Sequence, residues 1–114
     1  MEILRADASL AEPIAEYDSK LAASVKLAEG GGEAHAYVVY FEPEGEIGPH
    51  EAGFGQIFWA LAGDGWVAGG DGKRQPIEQG EAAFIRRGET HSKGSETGLT
   101  ALMVQVRDLI PSAQ

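Results

Sequence analysis

The sequence has no cysteine among its 114 residues. Disulfides, zinc–thiolate sites, iron–sulfur clusters and thiol nucleophiles are therefore excluded, and the composition fits a reducing compartment. No apolar run approaches the length of a membrane span, and the residues that follow Met1 lack the apolar core of a signal peptide. We therefore expect a cytoplasmic protein.

Positive charge is scarce. Lysine and arginine number 9 against 18 aspartates and glutamates, which gives a formal net charge of -9 and a pI near 4.6. A field of this sign repels nucleic-acid backbones and anionic membranes. We expect neither as a partner.

Three common catalytic or nucleotide-binding motifs are also missing. The sequence has no G-x-S-x-G nucleophile elbow. The glycine-rich residues 69–72 lack the Lys-Ser/Thr pair of a phosphate-binding loop, and no strand–G-x-G-x-x-G–helix unit is present for a dinucleotide. These absences argue against acyl transfer and against nucleotide binding of the usual kinds.

Glycine is plentiful, with 16 residues spread along the chain between short apolar segments. This rhythm of short strands and turns is typical of an all-β sandwich or barrel. Residues 1–20 have only a weak pattern, and we expect an N-terminal segment that packs on the barrel or on a partner subunit. Residues 21–114 are expected to form one domain. The predicted strands are 21–29, 34–41, 56–62, 66–68, 73–77, 81–85 and 99–107, with turns at 30–32, 63–65 and 69–72 and an irregular loop at 45–49.

Several predicted strands are apolar on both faces. In the last one, Thr100, Leu102, Val104 and Val106 share one face, and Leu99, Ala101, Met103 and Gln105 share the other. Such a strand must be covered on both sides, and in so small a chain a second subunit often supplies the second cover. We therefore expect a homodimer.

Two of the three histidines stand where a strand meets a loop. His50 follows Gly48-Pro49, and His91 follows a turn that contains Gly88. Rigid scaffolds commonly carry functional groups at such junctions. His35 begins a strand elsewhere, and we expect it to be a partly exposed strand residue.

The segment around His50 resembles the first motif of the cupin family, G-x5-H-x-H-x3,4-E-x6-G. Gly45 and His50 supply its start, one residue closer than the pattern requires, and Gly63 ends it. Ala52 replaces the second histidine, and Gln56 replaces the glutamate.

The segment around His91 resembles the second cupin motif, G-x5-P-x-G-x2-H-x3-N. Gly80, Gly88 and His91 match it, whereas Arg86 replaces the proline and Ser95 the asparagine. The resemblance extends over residues 34–106. It implies an all-β, double-stranded β-helix, that is, a jelly-roll cupin barrel.

The resemblance further implies a site inside the barrel. The metal ligands would be His50, Gln56 and His91, holding one divalent transition metal such as Fe, Ni, Mn or Zn. Alanine cannot ligate, so Ala52 would only line the pocket, together with Phe58 and Met103. Replacing a carboxylate by a neutral amide lowers the expected affinity for a divalent cation.

Three interpretations of these residues stay open at this point: a weakened metal site, a metal-free polar pocket for a small molecule, and a purely structural pair of histidines. The first implies a metal-dependent dioxygenase, isomerase or decarboxylase of a small polar or acidic substrate. The second implies a sensor or carrier that binds a small molecule without turnover.

Overall fold

A computed structural model describes the whole chain, Met1–Gln114. It contains ten β-strands and one turn of 3₁₀ helix. In chain order these are β1 (Glu2–Arg5), the 3₁₀ turn (Ala8–Leu10), β2 (Glu12–Pro13), β3 (Ala23–Ser24), β4 (Ala28–Phe41), β5 (Glu46–Glu51), β6 (Gly55–Ala68), β7 (Arg74–Glu78), β8 (Glu81–Ile85), β9 (Thr90–Gly94) and β10 (Leu99–Pro111). No helix is long and apolar enough to cross a lipid bilayer.

The long strand β6 joins two antiparallel sheets. Its first half lies between β8 and β10 in a sheet of order β1-β8-β6-β10-β4. Its second half lies between β7 and β9, and β9 pairs in turn with β5. The all-β class predicted from the sequence is thus confirmed.

The core lies between these two sheets. Phe58 and Ala60 point inward from β6 and are fully buried, whereas Trp59 points to the outer side. This is the alternation that the sequence predicts for the strand. The inner cluster comprises Phe41, Phe58, Ala60, Val67, Ile77, Ala83, Leu99 and Ala101.

A second, smaller cluster covers the outer face of the larger sheet. It consists of Leu4, Ile57, Ala82 and Phe84, with Trp59 packed against it. Because β1 pairs with β8, residues 2–5 belong to the main sheet. Alanines of residues 6–23 line a cavity beside Trp59. The domain division at residue 20 stays a prediction.

The turn predicted at the three consecutive glycines is wrong. Gly30, Gly31 and Gly32 lie inside β4, which pairs with β10 over almost its entire length. A side chain at Gly30 would collide with the backbone carbonyl oxygen of Asp108, and Gly32 has a φ of 94°, beside a bulge in β10. Here glycine allows close approach and a bulge within a strand. Of the strand predicted at 21–29, only β3 and the start of β4 are strand.

The turn predicted at 63–65 is also wrong, because β6 runs through it without a break. Gly63 has a φ of 82°, and a side chain there would collide with the carbonyl oxygen of Gly98. The glycine therefore lets one strand bend from the first sheet into the second.

The loop predicted at 45–49 is mostly strand β5. Its register with β9 shifts between Ile47 and His50, where Gly48 and Pro49 lie. A proline cannot donate to the ladder, so the pairing is interrupted and then resumes at His50. Strand β9 itself was not predicted, although it carries His91.

Candidate binding site in the barrel

The fold brings His50 and His91 together. They are direct cross-strand partners on β5 and β9, and their ring centroids lie 4.5 Å apart at an interplanar angle of 55°. The interrupted register at Gly48 and Pro49 sets this pairing. Both imidazoles can therefore contact one small ligand or ion.

The two rings differ in exposure. His50 is exposed, and its Nδ1–H donates to the carbonyl oxygen of Gly48 at 2.8 Å. His91 is fully buried, and neither of its ring nitrogens has a hydrogen-bond partner. Buried polar atoms without partners cost free energy, and His91 has two of them.

The His91 ring is neutral at pH 7. Its pKa is lowered from 6.5 to about 4, mainly by burial and also by the nearby charges of Lys93 and His50, against a smaller opposing effect of Glu89. A neutral imidazole offers one N–H donor and one acceptor. His91 therefore supplies the site with a hydrogen-bond donor that carries no charge.

Lys93 lies inside the barrel beside His91. It follows His91 by two residues on β9, so both side chains point to the same face. Its ammonium is buried, donates to Gln56 Oε1 at 2.9 Å, lies 3.6 Å from Met103 Sδ and stands 4.7 Å from the centroid of Phe58. Burial alone lowers the pKa of Lys93, from 10.5 to about 8.

Lys93 was missed at the level of sequence. The signal that could have found it is the two-residue spacing from His91, which places both side chains on one face once residues 90–94 are a strand. Without β9, that alternation could not be applied.

The other predicted site residues fall in three places. Gln56 and Phe58 are buried in the barrel interior, and half-buried Met103 faces the same space. Ala52 is buried at the end of β5, where its backbone hydrogen-bonds with the turn before His91, at Gly88 and Glu89. Ala52 therefore helps to hold the two motif segments against each other.

Solved structures show the same architecture. A cupin-like protein of Thermotoga maritima matches with a TM-score of 0.62 at 18% identity, over 71% of this chain and 65% of that one. A cupin superfamily protein of Desulfitobacterium hafniense matches with a TM-score of 0.61 at 10% identity, over 72% and 77%. The chain has the fold of a cupin domain. A predicted oxalate decarboxylase of Thermotoga maritima also matches the chain, with a TM-score of 0.58 at 29% identity, over 63% of this chain and 64% of that one.

No family model matches the chain, and no curated protein does. The cupin motifs around His50 and His91 are degenerate, and fold similarity at these identities carries no activity with it. The jelly-roll barrel implied by the two motifs is nevertheless confirmed, so the chemistry has to be argued from the residues present.

The residues do not fit the divalent metal that the cupin motifs imply. Gln56 is the predicted third ligand, yet its oxygen accepts a hydrogen bond from the Lys93 ammonium. No group of three or more His, Asp or Glu side chains is arranged to hold a metal ion. A divalent cation between His50, Gln56 and His91 would also be repelled by the Lys93 charge, which is close enough to lower the pKa of His91.

His35 is a partly exposed strand residue, as expected, but it stands on the inward side of β4. It is the cross-strand partner of Gln105, which is in turn the partner of Gln56. Residues directly opposite each other in an antiparallel sheet share a face. His35 therefore belongs to the row of side chains that ends at Gln56 in the barrel.

Proposed function

We propose that this cupin binds a small carboxylate-bearing molecule in its barrel, with Lys93 in place of a divalent metal as the cation of the site. The observation that carries the proposal is the buried Lys93 ammonium on Gln56 Oε1, 2.9 Å away. A buried ammonium without a carboxylate partner is expensive, and an anionic ligand supplies that partner.

The hydrogen-bonding capacity of the site supports the same ligand. An ammonium has three N–H donors. One is used by Gln56, and the contact with the Met103 thioether is weak. Neutral His91 adds an unpaired donor in the same interior. A carboxylate has two oxygens that can accept from both groups, and hydrogen bonds between charged partners are stronger than neutral ones.

His50 and Tyr37 are the exposed residues beside this interior. His91 is fully buried behind the exposed His50 ring. Five surface cavities have volumes of about 210 to 410 Å³, and none of them is lined by His50, His91 or Lys93, although the smallest is lined by their neighbours Pro49 and Ser92. Binding of a carboxylate at Lys93 therefore requires side chains beside it, such as the half-buried Met103, to move.

A metal-dependent enzyme is the second candidate. It is favoured by the pairing of two imidazoles at 4.5 Å and by the two unpaired ring nitrogens of His91. One similar structure is described as a predicted oxalate decarboxylase, and oxalate is itself a small dicarboxylate. In this alternative the metal would be held by His50, His91 and a Gln56 oxygen that no longer accepts from Lys93.

Metal analysis and anion binding separate the two candidates. The purified protein is incubated with Fe²⁺, Ni²⁺, Mn²⁺ or Zn²⁺, desalted and analysed for metal, and oxalate binding is measured by calorimetry. We expect substoichiometric metal, oxalate binding to the wild type, and loss of that binding in Lys93→Met. Lys73→Met, which changes an exposed lysine on a hairpin, is the matched control and should bind as the wild type does. Stoichiometric metal that is lost in His91→Ala would instead establish the metal site.

A further inference from the structure

Three aromatic rings lie on the inner side of the sheet beside its edge strand, β4. Tyr37 and His35 follow each other on the inward face of β4, with ring centroids 6.3 Å apart. Phe54, in the turn between β5 and β6, stacks on His35 at 5.9 Å with the rings 7° from parallel. We call Tyr37, His35 and Phe54 the aromatic rim.

Polar contacts orient two rings of the rim, those of His35 and Phe54. His35 Nε2 lies 2.6 Å from a carboxylate oxygen of Glu33, and the other oxygen of Glu33 accepts from Arg107 at 3.3 Å. The Arg107 guanidinium lies 5.8 Å from the centroid of Phe54. These contacts order His35 and Phe54 before any ligand arrives, and Tyr37 stacks on the ordered His35 ring, which lowers the entropy cost of binding.

Within the aromatic rim, Tyr37 is linked to the buried Lys93 ammonium through Met103. It is the cross-strand partner of Met103, and Met103 Sδ lies 3.6 Å from Lys93 Nζ. Tyr37 is nevertheless 48% exposed, although it points to the inward face of the sheet. The inner surface therefore passes from an ammonium through a thioether to an open aromatic ring.

From this arrangement we infer that the ligand is an aromatic carboxylate, whose carboxylate contacts Lys93 and whose ring stacks on Tyr37 of the aromatic rim. The inference rests on the proposed function, because it needs an anionic ligand at Lys93. Aromatic pairs gain free energy beyond the area they bury, so a flat ring is preferred over a saturated ring of similar size.

The test compares matched acids with and without an aromatic ring. Benzoate, phenylacetate and 3-phenylpropionate are titrated into the protein by calorimetry beside their cyclohexyl counterparts, so that three chain lengths cover the span from Lys93 to Tyr37. We expect at least one aromatic acid to bind about 3- to 10-fold more tightly than its saturated counterpart. Tyr37→Leu should remove this preference, and Tyr37→Phe should keep it.

Tyr40→Leu is the matched control. Tyr40 lies three residues further along the same strand, on its outer face, and is 76% exposed. The preference for the aromatic acid should be unchanged in this variant. Equal binding of aromatic and saturated acids that is lost in Lys93→Met overturns this inference alone. Oxalate binding without binding of any of these six acids likewise overturns this inference alone. No binding of these acids or of oxalate, or binding that Lys93→Met leaves intact, overturns the proposed function and the inference with it.

Discussion

At the scale of single residues, the barrel interior holds a buried lysine, Lys93, beside the residues at which the cupin motifs would place a metal. Lys93 fills the interior between Gln56 and Met103, and His91 lies beside it without hydrogen-bond partners. Both groups are buried at a cost in folding free energy. Costs of this kind are typical of functional sites, where they preorganise groups for a ligand.

The buried Lys93 should make the free energy of unfolding depend on pH in the alkaline range. The pKa of Lys93 is about 8 in the folded protein, against 10.5 for an ordinary lysine such as that of the unfolded chain. Between these values the unfolded chain binds the proton and the folded chain does not, so the free energy of unfolding rises with pH. We expect a rise of roughly 1–3 kcal/mol from pH 8 to 10.5, relative to Lys93→Met. Urea unfolding of both proteins at each pH measures it, and parallel pH profiles would contradict it.

The buried His91 should make the protein less stable in acid. Its pKa is lowered from 6.5 to about 4 by burial. The contribution of neutral His91 to stability is therefore present above pH 6.5 and is lost as the pH falls towards 4. In ring-carbon NMR spectra, one of the three histidines should titrate with a midpoint near 4, and that signal should be absent from His91→Phe. A midpoint at or above 6.5 for His91 would show that its ring is not buried as described.

At the scale of strands, two glycines of β4 test the close pairing with β10. A side chain at Gly30 would meet the carbonyl oxygen of Asp108, whereas a side chain at Gly31 has no atom within 4 Å. We expect Gly30→Ala to lower the free energy of unfolding by roughly 1–3 kcal/mol, because the backbone must shift. Gly31→Ala is the matched control and should be nearly neutral. Equal effects in chemical denaturation would contradict the register of β4.

The strands also show what could be read from the sequence. The alternation of Leu99 to Val106 predicted both faces of β10 correctly, because period-two burial dominates a central strand. Glycine-rich segments misled the prediction at Gly30 and Gly63, where glycine permits a bulge or a bend within a strand. In the local sequence, a glycine that ends a strand in a turn looks the same as a glycine at a bulge or bend within a strand. Only the pairing with a partner strand distinguishes the two.

The candidate site was likewise predicted from the sequence only in part. The two cupin motifs predicted that His50 and His91 come from segments of one barrel, because their spacing reflects the fold. They did not predict Lys93, because it occupies an unspecified position of the second pattern, between His91 and Ser95, and its role depends on the inward face of β9. The role of His50 and His91 as ligands of a metal stays a prediction, and Gln56 is engaged by Lys93 instead.

At the scale of the whole molecule, the outer face of the larger sheet is only partly covered. Val38, Tyr40 and Leu61 are 50%, 76% and 41% exposed on this side. Strand β4 pairs with β10 alone, so its other edge presents unpaired backbone groups. We propose that a second copy of the chain covers this face in a homodimer, as the two-sided apolar strands predict.

Light scattering after gel filtration tests the homodimer. We expect a particle of twice the 12.1 kDa chain mass. The double variant Val38→Lys with Tyr40→Glu should be monomeric, because charges buried in an apolar interface destabilise it. Lys26→Glu, at an exposed position outside β4, is a charge-changing control and should leave the dimer intact. A wild-type monomer at micromolar concentration would contradict the proposal.

The central claim is that a lysine supplies the cation of this barrel, and crystal diffraction tests it most directly. Crystals grown with oxalate and Mn²⁺ are measured at a wavelength where manganese scatters anomalously. We expect a carboxylate within about 3 Å of Lys93 Nζ and no anomalous peak between His50 and His91. An anomalous peak coordinated by both imidazoles, with Lys93 turned away from Gln56, would contradict it.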